Sequence, residues 1–352
     1  MHRVIFKDSS IDILDRVKKL TVHWVNRNLV LFPPDKPRDK KYSILTINDI
    51  DDGDDDLRSK AFFEIPLRYY TGPIDPDYFK QFPHLTHFVP FVIDDEYLEV
   101  IPACLKRVFF AVIRDQADNI IDAAGIQTPG VLDDLYTYDG PLGIVFQNSI
   151  PNMRVWAPTA KQVNFQLFAN ALSPEPELVQ PMLYDKQNGV WNISGDADWV
   201  GKYFTYQVLV YCPQQGQMEV TEVTDPYSVC LSANGKRSQI IDLANAALQP
   251  EDWNTLKKPD LEAFNDIVIY ETHVRDFSAA DKTVPEPLRG TFMAFTIDSS
   301  DGMHHLREHA KSGLTHLHLL PVFDIASVNE DKRTWKKADG ELLRSFPPNS
   351  DL

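Results

Sequence analysis

The acidic side chains best placed for chemistry lie close to two apolar runs in the last quarter of the chain. Glu271 lies within the run IVIYETHV, Asp276 follows that run, and Asp324 follows the second run, THLHLLPVF. Two neighbouring carboxylates can serve as acid and as base or nucleophile when their different environments push their two pKa values apart. The sequence specifies no such matched pair, so we predict that Glu271 and Asp276 orient strand ends and neighbouring loops.

A second chemical candidate is the pair His316 and His318, with His273 on the preceding apolar run. Residues two apart on a strand point to one face, and imidazole is a good zinc ligand. No further His or Asp ligand follows at a spacing that would complete such a site. We therefore expect these histidines to be hydrogen-bonded within packed strands, and we predict neither a metal nor a cofactor.

The elements that must position these residues are a strand, a helix and a second strand. Both apolar runs have the length of buried strands, and residues 301–313 between them have helical periodicity. Ser299 or Ser300 can cap the helix, and Gly313 can provide the left-handed residue that ends it. Apolar strands that flank a helix are typical of a parallel βαβ unit.

An aspartate-rich run, residues 49–56, reads DIDDGDDD. Oxygen ligands at alternate positions around a glycine suit a calcium ion. The run lacks the glutamate that an EF-hand loop requires at its twelfth position, so we interpret it as a solvated loop.

Composition and charge exclude several partners. The chain has 352 residues, of which 43% are hydrophobic and 24% charged, and its net charge is −16. Nucleic acid or an anionic membrane would require a basic face, so we expect neither partner. No segment is apolar enough to span a bilayer, and the N-terminus lacks the apolar core of a signal peptide. Three widely spaced cysteines, Cys104, Cys212 and Cys230, favour buried free thiols in a reducing compartment over disulfides.

Most of the chain is predicted to be β-structure. Residues 1–125 contain strand-like runs and form a β-rich first domain. Residues 126–250 show short alternating segments separated by turns, which is typical of a β-sandwich. Residues 251–264 form a linker, and residues 265–352 carry the βαβ unit.

Several phrases of the chain resemble one enzyme family. The phrases are IYETHVRDFSAADKTV, GLTHLHLLPVFDIASVNEDKRTWK, PGVLDDLYTYDGPLG, RVWAPTAKQV and DPYSVCLSANGKRSQIIDL. They resemble pullulanases and plant limit dextrinases, the starch-debranching members of glycoside hydrolase family 13, the α-amylase superfamily. The resemblance covers nearly the whole chain.

The resemblance implies a role for each part. Residues 126–250 correspond to a starch-binding-type module of the CBM48 kind, and residues 265–352 to the start of an incomplete (β/α)8 catalytic barrel. In the family the nucleophile and the acid/base residue belong to later strands, so we expect no catalytic residue before Leu352 and no activity of the chain alone. Phe323 and Asp324 are the residues expected to bind substrate.

Related glycogen-binding modules use tryptophans and a lysine on their sugar-binding face. The corresponding positions here, 168–176, 207 and 215–220, hold no tryptophan, and Gln207 stands in place of the lysine. We predict core or inter-domain packing for Trp156, Trp191 and Trp199. The sequence thus leaves open whether this module binds glucan.

Two functional hypotheses follow. The first is the N-terminal part of an enzyme that cleaves α-1,6-glucosidic bonds of starch, glycogen or pullulan. A C-terminal remainder is its expected partner, and one half of a split enzyme is an alternative form of this hypothesis. The second is a stand-alone, non-catalytic glucan-binding or regulatory protein. An unfinished barrel leaves strand edges open and calls for a covering partner. The expected location is the cytoplasm or the interior of a plastid.

Overall fold

The computed structural model describes residues 17–37, 39–47, 62–323, 328–334 and 340–345. The aspartate-rich run and Asp324 lie outside these residues. The chain divides into two compact units. The first comprises the residues up to 232 together with 236–242, and the second comprises residues 233–235 together with 243 onward. Among the described residues, no helix has the length and hydrophobicity that crossing a membrane requires.

The first unit begins with a closed seven-stranded barrel. Its strands are β1 Leu20–Asn26, β2 Leu29–Phe32, β3 Lys41–Ile47, β4 Phe62–Tyr69, β5 Val89–Val92, β6 Val108–Arg114 and β7 Ile120–Gln127. Their order around the barrel is β1-β2-β5-β4-β3-β6-β7, and a parallel pairing of β1 with β7 closes it. Closure removes the unpaired strand edges that an open sheet would expose.

Aromatic side chains fill the barrel interior. The rings of Phe32, Tyr42 and Phe91 lie 4.2–5.1 Å apart between centroids. Among the described residues, three α-helices accompany the strands: α1 Pro76–Gln81, α2 Ile101–Cys104 and α3 Pro129–Leu135. Gly130 allows α3 to pack directly on β1, because a Cβ there would lie 2.3 Å from the carbonyl oxygen of Val25.

The buried thiol of Cys104 provides a first test of the barrel core. Its sulfur lies 2.8 Å from Thr46 Oγ1, and burial raises the pKa of the thiol to about 12. Cys212 and Cys230 are free but partly exposed, so the predicted burial is confirmed for Cys104 and wrong for these two. Because the thiolate is the reactive form, we expect Ellman's reagent at pH 8 to label two thiols of the native chain quickly and Cys104 only on unfolding. Fast labelling of all three thiols would contradict this packing.

Two sheets form a β-sandwich after the barrel, as predicted. Their strands are β8 Gly143–Gln147, β9 Ile150–Trp156, β10 Gln162–Phe168, β11 Leu178–Pro181, β12 Leu183–Asp185, β13 Val190–Ser194, β14 Tyr203–Cys212, β15 Gln217–Val223 and β16 Ser238–Gln239. One sheet has the order β12-β13-β9-β8. The other has the order β11-β10-β14-β15, with β16 also paired to β14.

Aromatic stacking forms the sandwich core. Phe165 lies parallel to Trp199 at 5.1 Å between centroids, and Phe204 lies 5.4 Å from Phe165 on its own sheet. Trp191 and Trp199 are 6% and 5% exposed, which confirms the predicted packing role of these two tryptophans.

The barrel and the sandwich contact each other through aromatic and cationic side chains. Phe109 of the barrel lies 5.6 Å from Tyr211 of β14, and Trp156 of β9 packs against the barrel core. The Lys106 ammonium lies 3.2 Å from the centre of the Tyr184 ring, an attractive cation–π geometry. These contacts join the two domains within the first unit.

The second unit contains the predicted strand–helix–strand arrangement. Its elements are β17 Ile269–His273, α4 Val274–Ser278, α5 Asp301–Lys311, β18 His316–Leu320 and α6 Gly340–Ser345. Strands β17 and β18 pair in parallel. Ser300 caps α5 by accepting a hydrogen bond from the Met303 amide at 3.2 Å, and Gly313 follows the helix with φ +107°. The local elements are as predicted, whereas their continuation into a (β/α)8 barrel stays a prediction.

Candidate functional site

The strand pairing in the second unit brings Glu271 and His318 together. The two residues lie opposite each other across β17 and β18, and Glu271 Oε2 lies 3.0 Å from His318 Nδ1. Both side chains are more than half exposed. Glu271 therefore engages an imidazole on the neighbouring strand, and its role in orienting strand ends and loops stays a prediction.

The other candidate side chains of this segment bond to their own neighbours. His273 Nδ1 accepts the Arg275 amide at 3.2 Å and so caps α4, whereas Asp276 accepts from the Arg275 guanidinium at 2.9 Å. His316 Nδ1 lies 2.9 Å from Thr315 Oγ1. Across the part of the chain that the structure describes, no three His, Cys, Asp or Glu side chains are grouped to hold a metal.

The strands that carry these groups are open on one face. Helix α5 covers the other face only in part: Tyr270 stacks on His309 at 5.5 Å between centroids, whereas Leu317 is 37% exposed. Ile269 and Leu320 lie on the same face of the strands as the three histidines, and they are 61% and 38% exposed. The expectation of packed histidines is therefore wrong, because the described residues of this unit leave that face uncovered. Their hydrogen bonding is confirmed.

Phe323 follows β18 and is 77% exposed. Its predicted partner in substrate binding, Asp324, lies outside the described residues. The structure thus places one of these two predicted residues, and its role in substrate binding stays a prediction.

The sandwich face expected to bind sugar carries amides in place of open aromatic rings. Phe168 on this face is 3% exposed, and the Arg237 guanidinium covers its ring at 3.6 Å. Gln207, in the position of the expected lysine, accepts a hydrogen bond from Asn164 at 3.1 Å. Stacking of a sugar on Phe168 would first require Arg237 to move.

Partly exposed aromatic side chains lie instead beside the opposite sheet, at residues that sequence reasoning did not assign to a ligand. Tyr138, Trp156 and Tyr227 line a cleft of about 350 Å³, which adjoins a polar cleft of about 340 Å³ lined by Tyr138 and Arg154, among others. The alternation of Asn152, Arg154 and Trp156 along β9 was the available signal. Aromatic rings beside hydrogen-bonding groups form a surface suited to a sugar.

Two family profiles match the chain over these folded regions. Residues 20–134, which contain the barrel, match the Pullulanase N2 domain. Residues 141–228, which contain strands β8 to β15, match carbohydrate-binding module 48, the isoamylase N-terminal domain.

Similar proteins carry the name pullulanase. The chain is 39% identical to chloroplastic pullulanase 1 of Arabidopsis thaliana over 290 residues, which is 81% of this chain and 29% of that protein. It is 34% identical to a pullulanase of Klebsiella pneumoniae over 88% of this chain and 28% of that protein. The chain thus spans less than a third of the length of these relatives.

The fold is similar to that of solved pullulanases. The crystal structure of apo pullulanase from Klebsiella pneumoniae superposes with a TM-score of 0.78 at 33% identity, covering 89% of this chain and 34% of that one. A pullulanase structure from Klebsiella oxytoca gives the same TM-score and identity.

Proposed function

Because the chain resembles the N-terminal part of pullulanases in sequence and fold, we propose that it supplies the glucan-binding domains of an α-1,6-glucan debranching hydrolase. The observation that carries this proposal is the coincidence of the carbohydrate-binding module match, residues 141–228, with a folded β-sandwich. The exposed aromatic and polar side chains on that sandwich are chemically suited to a neutral sugar polymer.

We further propose that the chain alone does not hydrolyse glucan, and that β17, α5 and β18 are the first βαβ unit of a (β/α)8 catalytic barrel. Such a barrel builds its active site from loops after several strands. Retaining glycoside hydrolysis needs two carboxylates about 5–5.5 Å apart. Among the described residues near these strand ends, Glu271 engages His318 and Asp276 engages Arg275.

Pullulan hydrolysis tests this proposal. The purified chain is expected to release no reducing sugar from pullulan. Co-expression with the barrel segment of the Klebsiella pneumoniae relative is expected to give release, because that segment would supply the further strands of the proposed barrel. Hydrolysis by the chain alone would contradict the proposed inactivity. A chain that binds glucan but gains no activity from the barrel segment would favour the stand-alone binding protein.

A further inference from the structure

We propose that the sandwich binds α-glucan on the β12-β13-β9-β8 sheet, in a cleft centred on Tyr138, and not on the face around Gln207. This inference rests on the proposed function and names the site through which it would act. No motif in the sequence and no family match assigns these residues to a ligand.

The aromatic half of the cleft is open to a sugar ring. Tyr138, Trp156 and Tyr227 line it, and Tyr227 is 53% exposed. The Trp156 indole N–H donates to the Tyr136 carbonyl at 2.9 Å, which fixes the ring with its polar atom already satisfied. Such rings offer a sugar apolar contact area at low conformational cost.

Two glycines leave the space in which the tyrosine side chains pack. A Cβ at Gly140 would lie 2.4 Å from the Tyr138 hydroxyl oxygen, so the ring packs on backbone where a side chain would clash. Gly143 has φ +78°, and a Cβ there would lie 2.8 Å from Tyr227 Cβ. Side chains fixed in advance lose little freedom on binding, which favours affinity.

The polar half supplies hydrogen-bond donors for hydroxyl groups. Arg154 and Asn192 lie opposite each other on β9 and β13, and both line the cleft with Tyr138. Within the described residues, the Arg154 guanidinium donates one long hydrogen bond, 3.4 Å to the Tyr138 hydroxyl. Its remaining N–H groups form a planar fork that matches two adjacent hydroxyls of a sugar ring.

The charges of the cleft favour a neutral ligand. Arg154 is balanced by Asp185 in the same lining, so the site offers no excess positive charge for a phosphate or a carboxylate. The two adjoining clefts of about 350 and 340 Å³ share Tyr138, and each falls within the usual range of small-ligand sites, about 300–1,000 Å³. Two adjoining sites with a shared aromatic ring suit consecutive glucose units.

Calorimetric titration of the full chain with maltoheptaose tests the site. Tyr138→Ala and Arg154→Ala are each expected to raise the Kd at least about tenfold, equivalent to about 1.4 kcal/mol. Tyr138→Phe keeps the ring and is expected to stay within about threefold, since both hydrogen bonds of the lost hydroxyl, to Pro141 and Arg154, are long at 3.4 Å. Gln207→Ala on the other sheet is the matched control and is expected to leave the Kd unchanged. Thermal unfolding of each variant confirms that its fold is retained.

Three results would overturn the inference. Loss of binding in Gln207→Ala, with Tyr138→Ala and Arg154→Ala binding normally, would place glucan on the other sheet and leave the proposed function intact. An affinity for cellohexaose equal to that for maltoheptaose would contradict the proposed selectivity for α-glucan. Absence of maltoheptaose binding by the unaltered chain would remove the site and the proposed glucan-binding role together.

Discussion

Replacing Phe165 by alanine is expected to destabilise the sandwich by about 3–5 kcal/mol, the usual cost of removing a buried phenylalanine ring. Phe165 is fully buried between Trp199, at 5.1 Å, and Phe204, at 5.4 Å. Its loss removes apolar contacts on two sides and leaves a cavity that the rigid sheets fill only in part. Since the proposed glucan surface lies on this sandwich, glucan binding should be lost as the sandwich unfolds.

Urea unfolding followed by tryptophan fluorescence measures this effect through the shift in midpoint of the sandwich transition. Leu172→Ala is the matched control, because Leu172 is 90% exposed and its truncation should change stability by no more than about 0.5 kcal/mol. A loss below about 1 kcal/mol in Phe165→Ala would contradict the described core.

Replacing Asp225 by alanine should cost about 2–5 kcal/mol, because it leaves a buried hydroxyl and a part-buried amide without their acceptor. The Asp225 carboxylate accepts the Tyr206 hydroxyl at 2.8 Å and the Tyr227 amide at 2.7 Å. Tyr206 is fully buried, so its hydroxyl has no access to water after the change. Loss of the bond to Tyr227 should also loosen one wall of the proposed cleft. Thermal unfolding at neutral pH measures the cost, and an unchanged Tm would contradict it.

Asp225→Asn separates hydrogen bonding from charge. The amide keeps one acceptor for Tyr206, so this variant should be more stable than Asp225→Ala. Burial raises the pKa of the Asp225 carboxyl above its ordinary 3.8, although its hydrogen bonds oppose the shift. The folded state then binds the proton more readily than the unfolded state, and ionisation costs stability as pH rises from 3.8 through the folded pKa. The stability of Asp225→Asn relative to the unaltered chain should therefore rise from acid to neutral pH, and a fall would contradict the sign of the shift.

Local features were predictable from the sequence because they depend on a few neighbouring residues. Helix α5 begins after Ser300 and ends before Gly313, as predicted, because capping requires only the adjacent backbone. The sandwich was predictable from strand alternation and turn residues. Closure of the first barrel was not, because β1 and β7 pair across about a hundred residues and leave no local signal.

The proposed cleft was missed for a related reason. Tyr138 lies in a connection without periodicity, and its position depends on contacts with Gly140 and Arg154. Trp156 was predicted to pack, and it does pack against the barrel core, yet it also lines the cleft. A strand pattern assigns a side chain to one face or the other, but it does not show which neighbours share that face.

Native electrophoresis of the full chain through gels containing soluble starch tests glucan binding most directly. The expected result is that mobility falls as the starch concentration rises, while a non-binding reference protein is unaffected and added maltoheptaose restores mobility. Mobility that is the same with and without starch would contradict the assignment of this chain as the glucan-binding part of a debranching enzyme.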